Sequence, residues 1–113
     1  MYAEVLRNDE ILLPHAVEII IVALCADYFR REGVILDGNA TYRIIMEYRF
    51  LNYRMLSAAS EIVGSRDAKT IIKEIGLGVG YASSELWKMS ESVYKQRKRE
   101  VKRNIARKLC LYE

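Results

Sequence analysis

TYRIIMEYRFLNYRMLSAASEIVG, residues 41 to 64, is the stretch on which the fold turns. Ile44, Tyr48, Leu51, Met55, Ala58 and Ile62 step along it by three and four residues. That spacing sets them on one face of a helix. Thr41 can cap the amino end, and Gly64 stands just past the carboxyl end. The stretch predicts a helix from Thr41 to Val63 whose Tyr48–Leu51–Met55–Ile62 stripe faces a core.

The flanking sequence extends this pattern in both directions. Upstream, Asn8 or Asp9 can cap a first helix, with Glu10 in its first turn. Pro14 lies near the start of that helix, where backbone N–H groups have no intrahelical partner. The helix then runs through PHAVEIIIVALCADYFRRE to Gly33. Val17, Ile20, Ile21, Leu24 and Tyr28 form its stripe, and Ile19, Val22 and Cys25 widen it, so burial on more than one side is expected. GVILDGNA reads as a connector, with Gly38 and Asn39 as turn residues. Downstream, Ser65 opens a third helix, RDAKTIIKEIG, with Ala68, Ile71, Ile72 and Ile75 on one face. The glycines of GLGVG end it. YASSELWKM is a short helical piece, and Ser90 caps a last helix, ESVYKQRKREVKRNIARKL, with Glu91 complementing its dipole. One proline and six glycines leave few breaks in 113 residues. The expectation is an all-α fold of about five helices in a single domain, 1–113. A helical core would occupy 9–76 and a basic, helix-turn-helix-like segment 81–109.

The inventory for catalysis is thin. His15 is the only histidine, beside Pro14 at a helix start. The two cysteines, Cys25 and Cys110, lie far apart and make no metal-ligand spacing, so no metal or cofactor is expected. Gly76, Gly78 and Gly80 follow a helix rather than a strand and lack the lysine of a phosphate loop. An enzyme is not expected. The apolar run from Ile11 to Ala26 is interrupted by Pro14, His15 and Glu18, which argues against a membrane span and for a cytoplasmic protein. Tyrosine–arginine pairs recur at Tyr42-Arg43, Tyr48-Arg49 and Tyr53-Arg54. Their rings are expected to pack between helices while the arginines reach water.

Charge is the informative feature. Lys88 to Lys108 holds nine basic residues against Glu91 and Glu100, a balance of +7 in a chain whose total is +3. On a helical wheel Tyr94, Val101, Ile105 and Leu109 form a narrow apolar stripe. Ser92, Lys95, Gln96, Arg99, Arg103 and Arg107 lie opposite, and Lys98, Lys102 and Lys108 flank the stripe. A helix built only for solubility interleaves Glu with Lys at i,i+4, and this one is short of acids. The arrangement suits a helix that docks by one side and offers phosphate-tracking and base-edge-reading groups on the other. In a helix-turn-helix frame, Ser84 is the small residue where two helices approach. Trp87 and Met89 precede the turn, Ser90 caps, and Val93 and Tyr94 point inward.

The stretch MSESVYKQRKREVKRNIARKL resembles the carboxyl-terminal segment of small prophage-encoded transcriptional regulators of the ArpU and RinA type, themselves similar to region 4 of sigma factors. The shared features are the Ser-x-Ser cap, an aromatic at Tyr94, the Arg/Lys run, and Ile105-Ala106 before Leu109. The resemblance covers about the last thirty residues. It implies a DNA-binding transcriptional regulator in a phage or prophage setting, with Ser92, Lys95, Gln96 and Arg99 on the reading helix. Lys102, Arg103 and Arg107 complete the expected DNA-binding set. Duplex DNA is the expected partner, with RNA polymerase a further candidate and the amino-terminal helices offering room for a homodimer. The alternative is a helical interaction or phage-assembly adaptor whose basic helix meets an acidic protein. RNA binding ranks third, because its usual modules display aromatics on a sheet.

Overall fold

In the computed structural model, residues 13–111 are described. The caps expected at Asn8 or Asp9, and Glu10 beside them, lie outside the described residues. Those residues form five α-helices and one short 3-10 turn: α1 (His15–Ala26), α2 (Tyr28–Asp37), α3 (Tyr42–Val63), α4 (Ala68–Leu77), the turn Tyr81–Ser83, and α5 (Glu91–Lys108). The class is all-α, as the sequence predicts. The molecule is elongated, 52 × 33 × 21 Å.

The helix from Thr41 to Val63 forms as expected, but the first two residues of its apolar series do not reach the core: Ile44 is exposed and Tyr48 is half-buried. The Thr41 hydroxyl accepts from the Ile44 N–H, and Gly64 ends the helix at φ +84°. Its most deeply buried line is Asn52, Met55, Ala58 and Ala59, with Leu51 and Ile62 half-buried beside them.

The first helix differs from expectation in four ways. Pro14 occupies the cap position rather than the helix interior. The helix is interrupted at Asp27, where α1 passes into α2. Backbone bonds run across the interruption, from the Asp27 N–H to the Ala23 carbonyl and from the Arg31 N–H to the Asp27 carbonyl. Gly33 does not stop it: α2 continues to Asp37, and Gly38, at φ +74°, is the left-handed cap. Glycine costs a helix interior about 1 kcal/mol. That is outweighed here by α2 docking on α3, where the buried Arg31 donates to Asn52 Oδ1 (2.7 Å) and to the Leu24 carbonyl (2.8 Å), and Asn52 donates to the Tyr28 carbonyl (3.1 Å). Burial on α1 is one-sided as well. Ile21 and Cys25 are covered, whereas Ile19 and Ile20 face solvent.

Helix α4 buries Ala68, Ile71, Ile72 and Ile75, as the spacing predicts. Asp67, not Ser65, holds its cap position. Gly78, at φ +69°, turns the chain out of α4. Gly76 has another role inside the helix: a Cβ there would stand 2.5 Å from the Ala26 backbone nitrogen, so it lets α1 and α4 touch backbone to backbone. The expected helical piece at 81–89 is only the 3-10 turn followed by irregular chain. Cys25 and Cys110 are both free thiols. Burial pushes the Cys25 thiol up to about 12, which leaves it unreactive. Among the described residues no helix is long and apolar enough to cross a membrane.

Candidate nucleic-acid interface

Helix α5 begins where Ser90 accepts from the Val93 N–H (3.3 Å). Its stripe is placed as the wheel predicts: Tyr94, Val101 and Ile105 are buried, Leu109 packs partly, and Ala106 joins them. Polar groups fix its register. Tyr94 donates to Glu74 (2.7 Å), and Lys98 donates to the Val79 carbonyl (2.7 Å) while lying over the Tyr94 ring. Lys102 pairs with Glu18 (2.9 Å), Asn104 donates to the Ala58 carbonyl (2.9 Å), and Lys108 pairs with Glu61. At the far end Arg54 donates to the Lys108 carbonyl (2.7 Å), placing a cation at the negative end of the helix dipole.

These contacts divide the cations of α5 into three groups. Lys98, Lys102 and Lys108 hold the helix to the rest of the molecule. Lys95 and Arg97 pair within the helix, with Glu91 (3.0 Å) and Glu100 (2.8 Å). Arg99, Arg103 and Arg107 have no side-chain partner among the described residues; Arg99 and Arg107 are exposed and Arg103 is half-exposed. Lys95, Arg99, Arg103 and Arg107 are four residues apart, so they form one ridge. It covers about 18 Å of helix axis, a length over which duplex DNA carries roughly ten phosphates. Ser92 is exposed at the amino end, and its hydroxyl lies 3.4 Å from that of Ser90. Gln96 is half-buried and already engaged in a contact. Of the residues expected to touch DNA, Lys102 is thus diverted to Glu18.

The helix-turn-helix frame does not hold. The nearest helix before α5 is α4, and the 13 residues from 78 to 90 separate them, against the three or four of the motif. Trp87 is exposed, and Leu86 is the buried anchor of the connector. Ser84 does not mark a helix crossing. Its hydroxyl donates to Glu74 (2.7 Å) and accepts from the Leu86 N–H (2.8 Å).

Glu74 organises this region, and no expectation included it. Almost fully buried, it accepts from Ser84, the Glu85 N–H and Tyr94, each at 2.7 Å. Burial pushes its carboxyl up, but the bonds from Tyr94, the Glu85 N–H and Ser84 together hold it below the ordinary carboxylate range. Burial and the bond to Glu74 push the Tyr94 phenol up to about 12. The signal in the sequence was an acid three residues after Ile71, on the buried side of α4. The same kind of signal marked Asn52, which lies in line with Tyr48 and Met55.

The tyrosine–arginine pairs also differ from expectation. Tyr42 and Tyr53 are exposed rather than packed between helices. Tyr48 is half-buried and accepts a bond from Arg30 (3.2 Å), whose guanidinium lies 5.4 Å from its ring centre. Among the described residues no three His, Cys, Asp or Glu side chains gather as a metal site would require. Comparison with family models, with curated proteins and with solved structures gives no match.

Proposed function

We propose that this chain binds duplex DNA through the outer ridge of α5, as a non-enzymatic nucleic-acid-binding protein. One observation carries the reading: Lys95, Arg99, Arg103 and Arg107 align on the outward side, and the last three have no acid to satisfy them among the described residues. Unpaired, aligned arginines are suited to displacing counterions from a phosphate backbone. Sequence reading would fall to Ser92, Lys95, Gln96 and Arg99 at the amino end of the helix, where Arg can take guanine by two bonds. Transcriptional regulation in a phage or prophage setting, with RNA polymerase as a further partner, is the role suggested by the likeness of the last thirty residues. That role places the protein in the cytoplasm, and a homodimer would present two ridges to one duplex.

The test is a fluorescence-anisotropy titration of duplex DNA at several salt concentrations. Wild type should bind at low salt and weaken steeply as salt rises. Replacing Arg99, Arg103 and Arg107 together by Gln should flatten the log–log salt slope by roughly 2–3. Failure to bind at low salt would remove the DNA reading and favour the adaptor, with an acidic protein on the same ridge.

A further inference from the structure

Helix α3 has a second apolar face. Tyr42, Met46, Phe50 and Tyr53 step by four, four and three along the side opposite Asn52, Met55 and Ala59. They are 78, 41, 59 and 73% exposed. Met46, Glu47, Arg49, Phe50 and Tyr53 line a shallow depression there. None of residues 42–51 is buried, so the first half of α3 projects from the core. A projecting helix that is apolar on its outward face is missing a neighbour.

We propose that this neighbour is α3 of a second copy of the chain, packed antiparallel across a two-fold axis. Three observations favour a second copy. The stripe reads nearly the same from either end, Tyr–Met–Phe–Tyr, which is what a self-complementary two-fold contact needs. An axis midway between Met46 and Phe50 sets Tyr42 against the partner's Tyr53, and Met46 against the partner's Phe50.

Charge favours this face over α5. Beside the stripe Arg43 and Glu47 neutralise each other (3.0 Å), which leaves Arg49 near the axis and Arg54, its guanidinium 4.3 Å from the Phe50 ring centre, as the cations at the seam. The ridge of α5 would set Lys95, Arg99, Arg103 and Arg107 against their own copies. Area agrees too. Large side chains bury roughly 150–250 Å² each, so the stated exposures leave roughly 400–600 Å² of apolar surface on the four residues. A stable interface covers about 800 Å² per partner, and the flanking Arg49, Glu47 and Ser57 can supply the difference. This surface is separate from the α5 ridge, and the inference does not rest on the DNA reading.

The test uses the full chain. Sedimentation equilibrium should give twice the 13.1 kDa monomer mass. Phe50→Glu puts a charge at the centre of the stripe and should weaken association by roughly tenfold or more. Phe50 faces outward, so the helical circular dichroism of the variant should be unchanged.

Orientation is read by disulfide trapping under oxidised glutathione in a Cys110→Ser background. Arg49→Cys lies beside the axis and should cross-link to its own copy. Tyr42→Cys should not, because antiparallel pairing separates the two copies of residue 42 by about 18 Å of helix axis, well beyond the span of a disulfide. A wild type that stays monomeric overturns the proposal. So does a dimer that Phe50→Glu leaves intact, or trapping of Tyr42→Cys in preference to Arg49→Cys.

Discussion

Helices α3 and α5 lie side by side, joined where Asn104 reaches the Ala58 carbonyl, yet their outward faces are opposites. On the inside both carry small or aliphatic groups: Met55, Ala58 and Ala59 on one, Val101, Ile105 and Ala106 on the other. On the outside α3 shows Tyr42, Met46, Phe50 and Tyr53, whereas α5 shows Lys95, Arg99, Arg103 and Arg107. The inner faces obey one demand, which is to fill space without stranding polar groups. Every buried side-chain nitrogen and oxygen among the described residues has a partner. The outer faces are free of that demand, so their contrast carries information about partners: one surface suits an apolar neighbour and the other a polyanion.

The largest expected effect tests whether inside and outside are as distinct as this. Ile105→Ala removes a fully buried side chain and should destabilise the fold by about 2–5 kcal/mol. Phe50→Ala, measured by urea denaturation at a protein concentration where only monomer is present, should stay within about 0.5 kcal/mol of wild type. Equal losses would mean that the stripe on α3 is already covered within the same chain, and the comparison of the two helices would collapse.

A second effect concerns how the inner face of α5 is anchored, by a titratable phenol bonded to a carboxylate where α3 uses the neutral amide of Asn52. The Tyr94 phenol is raised to about 12 by burial and by its bond to Glu74, from an ordinary value of 10. The unfolded chain therefore loses this proton first as pH rises. Stability from the pair is complete below about pH 10 and falls as pH climbs from 10 towards 12. Tyr94→Phe should be less stable at neutral pH, because Glu74 loses a donor, and should show a shallower alkaline decline. Burial also raises Tyr28, so Tyr28→Phe is the comparison. A decline unchanged by Tyr94→Phe would assign the alkaline limb to other groups.

How much of this was legible in the sequence follows from which forces act locally. The Thr41 and Ser90 caps, the positive-φ Gly38, Gly64 and Gly78, and the Tyr94–Val101–Ile105 stripe depend on neighbours within a few residues, and spacing reveals them. The stop assigned to Gly33 failed because a glycine only permits a turn, and the contact of Arg31 with Asn52, 21 residues away, keeps the helix going. The connector before α5 reads as a helix in the sequence because its residue types tolerate one. Its path is decided by Glu74, which ties down Ser84 and Glu85 from a separate helix. On α5 the wheel found the outward face, but it could not separate Lys102 from Arg103, since Glu18 lies 84 residues away in sequence.

That pair gives the smallest effect and the sharpest one. Lys102 and Arg103 are adjacent and share a charge, but they point to different neighbours. The Lys102 amine sits 2.9 Å from Glu18 with its side chain 18% exposed. Through its bond and charge it holds the Glu18 carboxyl below the ordinary range. Because Glu18 is itself partly exposed, water screens the pair, and Lys102→Ala should cost only about 0.5–1 kcal/mol. That stability should be present above pH 4.5 and fade as acid protonates Glu18. DNA affinity should change little, since this charge already has an acid. Arg103→Ala should do the reverse. Stability should hold within about 0.5 kcal/mol, while the salt slope of DNA binding should drop by roughly 0.9, the loss of one phosphate contact. The measurements are urea denaturation and anisotropy titrations of the two variants. If both lower the salt slope equally, the ion pair to Glu18 opens when DNA arrives, and the division of α5 into structural and outward cations is not kept in the complex.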